Sequence, residues 1–199
     1  MPARSSEELF NKIKLLFSSP SVFFSKIKDE GIQNALLTYI ITFLVSQVVG
    51  AIIAFSFIGI ASQSGSSGYM SGMFGYGASY PLIYFITIPL YVALALLFAF
   101  GFAGMIFLSV KAFKGSGGYT NSFKAVAYSL TPYNIISIIP FVGSLSIFYS
   151  LFLTTVGVKT LHNLSTGKAV AAVMLPILAL LALLVVFVLM VLFAFRGVF

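Results

Sequence analysis

Lys124-Ala-Val-Ala-Tyr128-Ser-Leu-Thr-Pro132-Tyr133-Asn134-Ile-Ile-Ser-Ile-Ile139-Pro140-Phe-Val-Gly143-Ser144 opens an uncharged run of 34 residues, Ala125 to Val158, that ends at Lys159. Lys111 and Lys114 precede it, and His162 and Lys168 follow it. As a single helix the run would be roughly 50 Å long at 1.5 Å per residue, against ~30 Å of hydrocarbon in a bilayer. It must fold back on itself. The strong breaker near its middle is Pro140-Phe-Val-Gly143, a proline that cannot continue a hydrogen-bonded turn followed by a glycine that tolerates positive φ. The pattern predicts a tight helical hairpin, Phe123 to Ile139 out and Ser144 to Val158 back, turning at Pro140 and Gly143. Both lysine clusters then lie on one side of a membrane.

The rest of the chain is consistent with that setting. Of its 199 residues 60% are hydrophobic and 8% charged, with a mean hydropathy of +1.09. Soluble domains carry about 25% charged residues, so the composition is that of an integral membrane protein. With no cysteine, disulfides and thiolate chemistry are excluded. The net charge of +7 comes from basic residues that flank apolar runs, which membrane topology explains without nucleic acid as a partner. No cleavable signal is visible in Met1 to Pro20, which lacks an unbroken apolar core and an Ala-x-Ala site.

Residues 1–31 are expected to form a cytosolic amphipathic segment of two short interfacial helices. Ser5-x-x-Glu8 has the form of a capping box, and Leu9, Phe10, Ile13, Leu16 and Phe17 share one face while Asn11, Lys12 and Lys14 share the other. Ser19 suits the N-cap of the second helix, Pro20 its first position, and Gly31 its end, with Lys26 and Lys28 on the polar side. A basic amphipathic segment of this kind either lies in the headgroup region against anionic lipid or packs on the protein's own loops.

Residues 32–199 are expected to form a transmembrane domain. No charge occurs between Gly31 and Val110, and the interruption there is the Gly/Ser-rich stretch Ser62 to Gly77. Its Met70 and Met73 offer thioether sulfur, but with no Cys or His beside them a membrane-surface contact accounts for them. The spans are then about 35–60, 81–110 with a kink or tilt near Pro89, 123–139, 144–158 and 169–195. Ser46, Gly50 and Ala54, like Ala95, Ala99 and Ala103, recur every four residues, the spacing that lets helix backbones approach closely in lipid, and Gln47 lies beside the first stripe, read as an interhelical hydrogen-bonding residue by default with a solute site as the lesser alternative. Ten basic residues fall on the side of the two lysine clusters and one, Arg196, on the other. By the positive-inside rule the fold is an all-α membrane protein of five transmembrane helices with an N-terminal amphipathic interfacial segment, N-terminus cytoplasmic and C-terminus outside.

The central stretch resembles the Yip (Ypt-interacting protein) family of multispanning membrane proteins. The likeness is carried by Tyr128-Ser-Leu-Thr-Pro132-Tyr133, by Ile139-Pro140-Phe-Val-Gly143, and by Gly157-Val-Lys159-Thr-Leu161-His162-Asn-Leu164-Ser165-Thr-Gly167-Lys168-Ala169. It covers Phe113 to Pro176. The resemblance implies a five-span core and, in eukaryotic relatives, an association with Rab-type GTPases and vesicle traffic. The acidic Asp-Leu-x-Gly-Pro motif of those relatives is not matched by Asp29-Glu30-Gly31, so a GTPase partner does not carry over. The chain is more similar to bacterial and archaeal members, which implies the cell membrane of a prokaryote but names no activity.

Candidate chemistry is sparse. The four carboxylates, Glu7, Glu8, Asp29 and Glu30, all precede residue 31, where solvated faces and caps explain them, and the single histidine, His162, lies in a short basic loop. No nucleophile and base, metal set or phosphate-binding glycine loop is assembled, so the chain reads as no enzyme and no cofactor is expected. Mid-membrane ionisable residues, which couple transport to ions, are missing from the spans before residue 159. Tyr128, Thr131, Pro132, Tyr133 and Asn134 remain as a polar cluster, read either as a proline kink with local hydrogen bonds or as a site for a neutral solute or lipid. Two functions follow. One is a non-enzymatic scaffold that binds membrane lipid, anionic lipid included, a cytosolic protein or another copy of itself, through a cytosolic face of Lys12, Lys14, Lys26, Lys28, Lys111, Lys114, Lys124, Lys159, His162 and Lys168. The alternative is a channel or carrier for a neutral or lipidic substrate passing Tyr128 to Asn134.

Overall fold

The computed structural model describes residues 6–63, 81–139 and 142–195. Among them the chain forms seven helices and no strand: α1 (Ser6–Ser18), α2 (Pro20–Lys26), α3 (Ile32–Gln63), α4 (Pro81–Ala112), α5 (Tyr119–Ile136), α6 (Val142–His162) and α7 (Thr166–Phe195). Ser5, Met70, Met73, Pro140 and Arg196 lie outside the described residues, so the capping box and the proline of the expected hairpin turn are not described.

Among the described residues four stretches are long and apolar enough to cross a membrane: Ile32–Ile53, Ile86–Ala112, Val142–His162 and Thr166–Phe193. The exception is α5, whose 18 residues include Asn121, Ser122, Lys124, Ser129, Thr131 and Asn134. These polar residues are tolerated because α5 is buried continuously from Ser122 to Ser129, with α3, α4 and α6 packed around it. A helix screened from lipid by its neighbours has no need of an apolar exterior. The first part of the stretch whose length decided the hairpin is therefore the enclosed centre of the bundle, while its second part, α6, exposes Leu145, Phe148 and Phe152.

Ser19 occupies the N-cap of α2 with Pro20 at its first position, although the Ser19 hydroxyl makes no capping bond. The helix ends at Lys26 rather than at Gly31, and the Ile27 N–H returns to the Phe23 carbonyl at 3.2 Å. Leu16, Phe23, Phe24 and Ile27 join the same core as Phe123, Ala125, Tyr128 and Leu153. The N-terminal helices are thus packed on the bundle, with Phe10, Phe17 and Val22 on their exposed side.

Contact between α2 and the hairpin depends on one glycine. A Cβ on Gly157 of α6 would come within 2.9 Å of the Phe24 ring and 3.1 Å of the Ala125 methyl. At the other end of the hairpin Gly143 sits in the first turn of α6, and its φ is not positive as the turn chemistry suggested. What requires glycine is close approach, since a Cβ there would lie 2.7 Å from the Ser137 Cα. Ala99 and Ala103 are fully buried, and the Tyr39 hydroxyl of α3 donates to the Ala95 carbonyl of α4 at 3.3 Å, so the alanine stripe is a packing surface. Gly50, by contrast, has open space where a Cβ would be.

Candidate functional site at the basic end

Two buried polar centres tie the loops together at one end of the bundle. The first is Lys124, one turn before Tyr128 on α5. Its side chain is 1% exposed, and its ammonium donates to the carbonyls of Ile27 (3.1 Å), Lys28 (2.7 Å) and Glu30 (3.1 Å). Carbonyls just past a helix end have no partner within the helix, so one ammonium with three donors supplies what the short α2 lacks. Hydrogen bonds to a charged group contribute about 1.5–3 kcal/mol each, which makes Lys124 the main fastening of the N-terminal segment.

Glu30 completes this centre. It pairs with Lys12 of α1, accepts from the Tyr128 hydroxyl at 3.1 Å and meets the Asn34 amide at 3.5 Å. Phe23 packs edge-on against the Tyr128 ring at a centroid distance of 5.0 Å. Glu30 therefore joins α1, α3 and α5, and is no solvated cap.

The second centre is His162, fully buried at the end of α6. Its Nδ1 lies 2.6 Å from the Ser116 carbonyl oxygen, which can only accept, so Nδ1 carries a proton. In the neutral ring Nε2 then accepts from the Ser122 hydroxyl at 3.0 Å. Return bonds close the α4–α5 loop on the same residue: the Ser116 N–H and hydroxyl both donate to the His162 carbonyl at 3.0 Å. The Asn121 amide donates to the Leu161 carbonyl at 3.1 Å. Gly117 (φ +88°) makes this possible, since a Cβ would collide with the Asn121 amide at 2.6 Å. With both ring nitrogens occupied, His162 is a structural pin between two loops.

The helix ends beside these centres are built alike. Asn163 (φ 52°) ends α6 and Lys114 (φ 60°) ends α4, both left-handed. The following N–H groups, of Leu164 and Gly115, return to the carbonyls of Lys159 and Val110 at 3.1 and 2.9 Å, which is the Schellman arrangement. Lys28 reaches the Asn163 side-chain oxygen at 3.3 Å, and Lys111 stands 5.4 Å from the centroid of the Phe107 ring.

Of the ten residues expected on a cytosolic face, Lys14, Lys26, Lys28, Lys111, Lys114, Lys159 and Lys168 are exposed, Lys12 is half-buried, and Lys124 and His162 are enclosed. The cluster Tyr128 to Asn134 is not one site. Tyr128 belongs to the Glu30 centre, Thr131 donates to the Ala127 carbonyl one turn back at 3.3 Å, Pro132 is buried within a continuous α5, and Tyr133 is exposed. Asn134 crosses to the Thr42 hydroxyl of α3 at 3.3 Å. An apolar cavity of about 240 Å³ lies between α4, α5, α6 and α7, lined by Phe98, Phe102, Leu130, Ser150 and Leu180 among others, and by none of Tyr128, Tyr133 or Asn134. Among the described residues no three His, Asp or Glu side chains come together as metal ligands.

Sequence reasoning passed over Glu30, Ser116, Asn121 and Ser122. A signal for the last three was present in Gly115-Ser-Gly117-Gly118-Tyr-Thr-Asn121-Ser122, a glycine-rich turn followed at once by an amide and a hydroxyl.

Four long apolar helices among the described residues, three of them packed around an enclosed polar one, with the basic loops gathered at one end, define an integral membrane protein of the all-helical, multispanning class. The family model described as the Yip1 domain matches residues 14–189, and the chain belongs to that family. The match includes the N-terminal helices from Lys14 onward, which lie outside the stretch Phe113 to Pro176 that carries the resemblance in sequence. Comparison with curated proteins and with solved structures gave no match.

Proposed function

We propose that this protein is a non-enzymatic membrane scaffold acting from its basic end, which faces the cytoplasm of a prokaryotic cell, with the C-terminus on the other side of the cell membrane. The observation that carries this reading is the grouping of Lys14 on α1, Lys26 on α2, Lys28 just after it, Lys159 on α6 and Lys168 on α7, exposed around two buried centres that fix the loops joining those helices. Lysines held on a rigid base present an anion-binding surface without losing further loop entropy on binding. Anionic lipid headgroups are the nearest ligand, at roughly 1 kcal/mol per lysine close to the surface, weakened by salt. Further support comes from the use already made of the buried polar groups: His162 and Glu30 hold the protein together.

The experiment is lipid exchange into the reconstituted whole protein, with bound lipid counted by native mass spectrometry from mixed anionic and neutral nanodiscs. Anionic lipid should be enriched, and changing Lys14, Lys26, Lys28, Lys159 and Lys168 together to Gln should abolish the enrichment while leaving the thermal midpoint in place. Equal retention of neutral and anionic lipid by the unchanged protein would leave these lysines with a role in insertion topology alone.

A further inference from the structure

The cavity of about 240 Å³ lies where α7 parts from its neighbours. α7 packs on α4 and α6, with Ala169, Ala172 and Val173 buried in its first turns, and past Ile177 its residues are exposed as far as Phe193. The side chains that α6 presents to the resulting space include the short Ser150 and Thr154. These two and Val126 of α5 are buried, whereas Phe98, Ile147 and Leu180 are exposed. The cavity therefore has a closed floor and a mouth framed by three of the long apolar helices. Its mouth faces the bilayer.

The floor holds a hydroxyl that the fold does not use. Along α6 the hydroxyls of Ser146, Thr154, Thr155 and Thr160 each donate to a carbonyl three or four residues back, which is how such groups are satisfied within a membrane. The Ser150 hydroxyl is buried and has no partner, and the residue is 3% exposed. A buried hydroxyl left unpaired is costly. Water answers it poorly, since an enclosed water needs two to four polar partners, and the other polar side chain in the lining, Thr154, has already given its proton to the Ser150 carbonyl at 2.8 Å.

Depth narrows what can answer it. Ser150 stands about 12 Å along α6 from Val142 and about 18 Å from His162, near the middle of a stretch long enough to cross. The ester oxygens of a phospholipid lie at the edge of the hydrocarbon, so at this depth a phospholipid offers only methylene groups. A charged headgroup is excluded for the same reason.

We propose that this cavity is a binding site for an uncharged lipid that dissolves in the bilayer core, its apolar body seated between α4, α6 and α7 and its carbonyl or hydroxyl oxygen accepting from Ser150. The volume is below the roughly 300 to 1,000 Å³ of a complete small-molecule site, so the cavity takes the oxygen-bearing part and the remainder lies in surrounding lipid. The cavity is a blind pocket with no path through the protein. The site is separate from the basic end and independent of what binds there.

The test uses the whole chain in phosphatidylcholine nanodiscs, with two probes of matched length: diheptyl ketone, whose oxygen is central and uncharged, and pentadecane, which has none. Diheptyl ketone should raise the thermal midpoint saturably, at a mole fraction about three- to tenfold lower than pentadecane needs, as one added hydrogen bond implies. In Ser150→Ala that advantage should vanish. The infrared spectrum should show a hydrogen-bonded carbonyl band, shifted to lower wavenumber, with the unchanged chain and not with Ser150→Ala. Ser150→Leu, which fills the floor, should respond to neither probe. If Ser150→Leu folds poorly, Ser150→Ala still decides, because it removes one oxygen and keeps the cavity. No rise with either probe overturns the proposal. So do equal rises with both in the unchanged chain, which would make the cavity a seat for plain acyl chain.

Discussion

α5 and α7 were both expected to be spans, and they are opposites. α5 carries a lysine, an asparagine pair and several hydroxyls and is enclosed over two turns by three other helices. α7 is aliphatic over most of its length, and from Leu178 to Phe193 every residue is exposed. Hydropathy measures how much of a helix lipid will touch, and says little about how central that helix is to the fold. In α5 the polar groups are used in pairs with α2, α3 and the loops, whereas α7 holds to the bundle through its first turns, where Ala169, Ala172 and Val173 are buried. The chain thus places its specificity in a helix that hydropathy overlooks and its membrane affinity in one that hydropathy finds at once.

The contrast can be broken most severely at Lys124. Lys124→Met keeps most of the apolar stem of the side chain and removes all three donors, leaving the carbonyls of Ile27, Lys28 and Glu30 without it. The expected loss is about 3 kcal/mol, given that bonds to a charged donor contribute about 1.5–3 kcal/mol each and partial rehydration returns some of it. Melting in detergent should show the lowered midpoint, and hydrogen exchange should show protection lost in α2 and the α2–α3 turn while α7 is unchanged. An unaltered melt would mean that the N-terminal helices are held by their apolar side chains alone.

A smaller effect is expected where α2 touches the hairpin. Gly157→Leu inserts a branched chain where even a Cβ meets the Phe24 ring at 2.9 Å, and overpacking of this kind costs about 2 kcal/mol. Phe24→Ala combined with Gly157→Leu should recover part of that loss, because it vacates the space being overfilled. If the pair is worse than the sum of its single changes, the contact is not the one that limits the site.

How much of this was legible in the sequence can be said residue by residue. The run from Ala125 to Val158 had to turn, and Ser19-Pro20 had to start a helix, because both follow from local rules of length and cap chemistry. Gly143 was identified as necessary for the wrong reason: positive φ is a local property that sequence can suggest, while the approach of Ser137 to within 2.7 Å is known only once the hairpin is closed. Lys124 and His162 were taken for surface residues because their partners lie far away in the chain, Lys28 at a separation of 96 residues and Ser116 at 46. Glu30 was hidden for the same reason, its bond from Tyr128 spanning 98 residues.

The smallest expected effect tests the other half of the comparison. Val186 lies in the middle of the exposed part of α7 and is itself 53% exposed, so its side chain meets lipid rather than protein. Val186→Ala exchanges a β-branched residue for a better helix former and removes two methyl groups whose place lipid tails can take, so no cavity opens of the kind that makes core truncations costly. The change in stability should stay within about 0.5 kcal/mol, as for substitutions away from packed features. Thermal melting of the variant in lipid nanodiscs measures it. A loss as large as that at Gly157→Leu would mean that something other than lipid covers α7, and a second copy of this chain would be the first partner to look for, by cross-linking through a cysteine placed at Val186. A melt that does not move would instead confine the protein's internal contacts to the upper turns of α7 and leave its far half as a lipid-facing anchor.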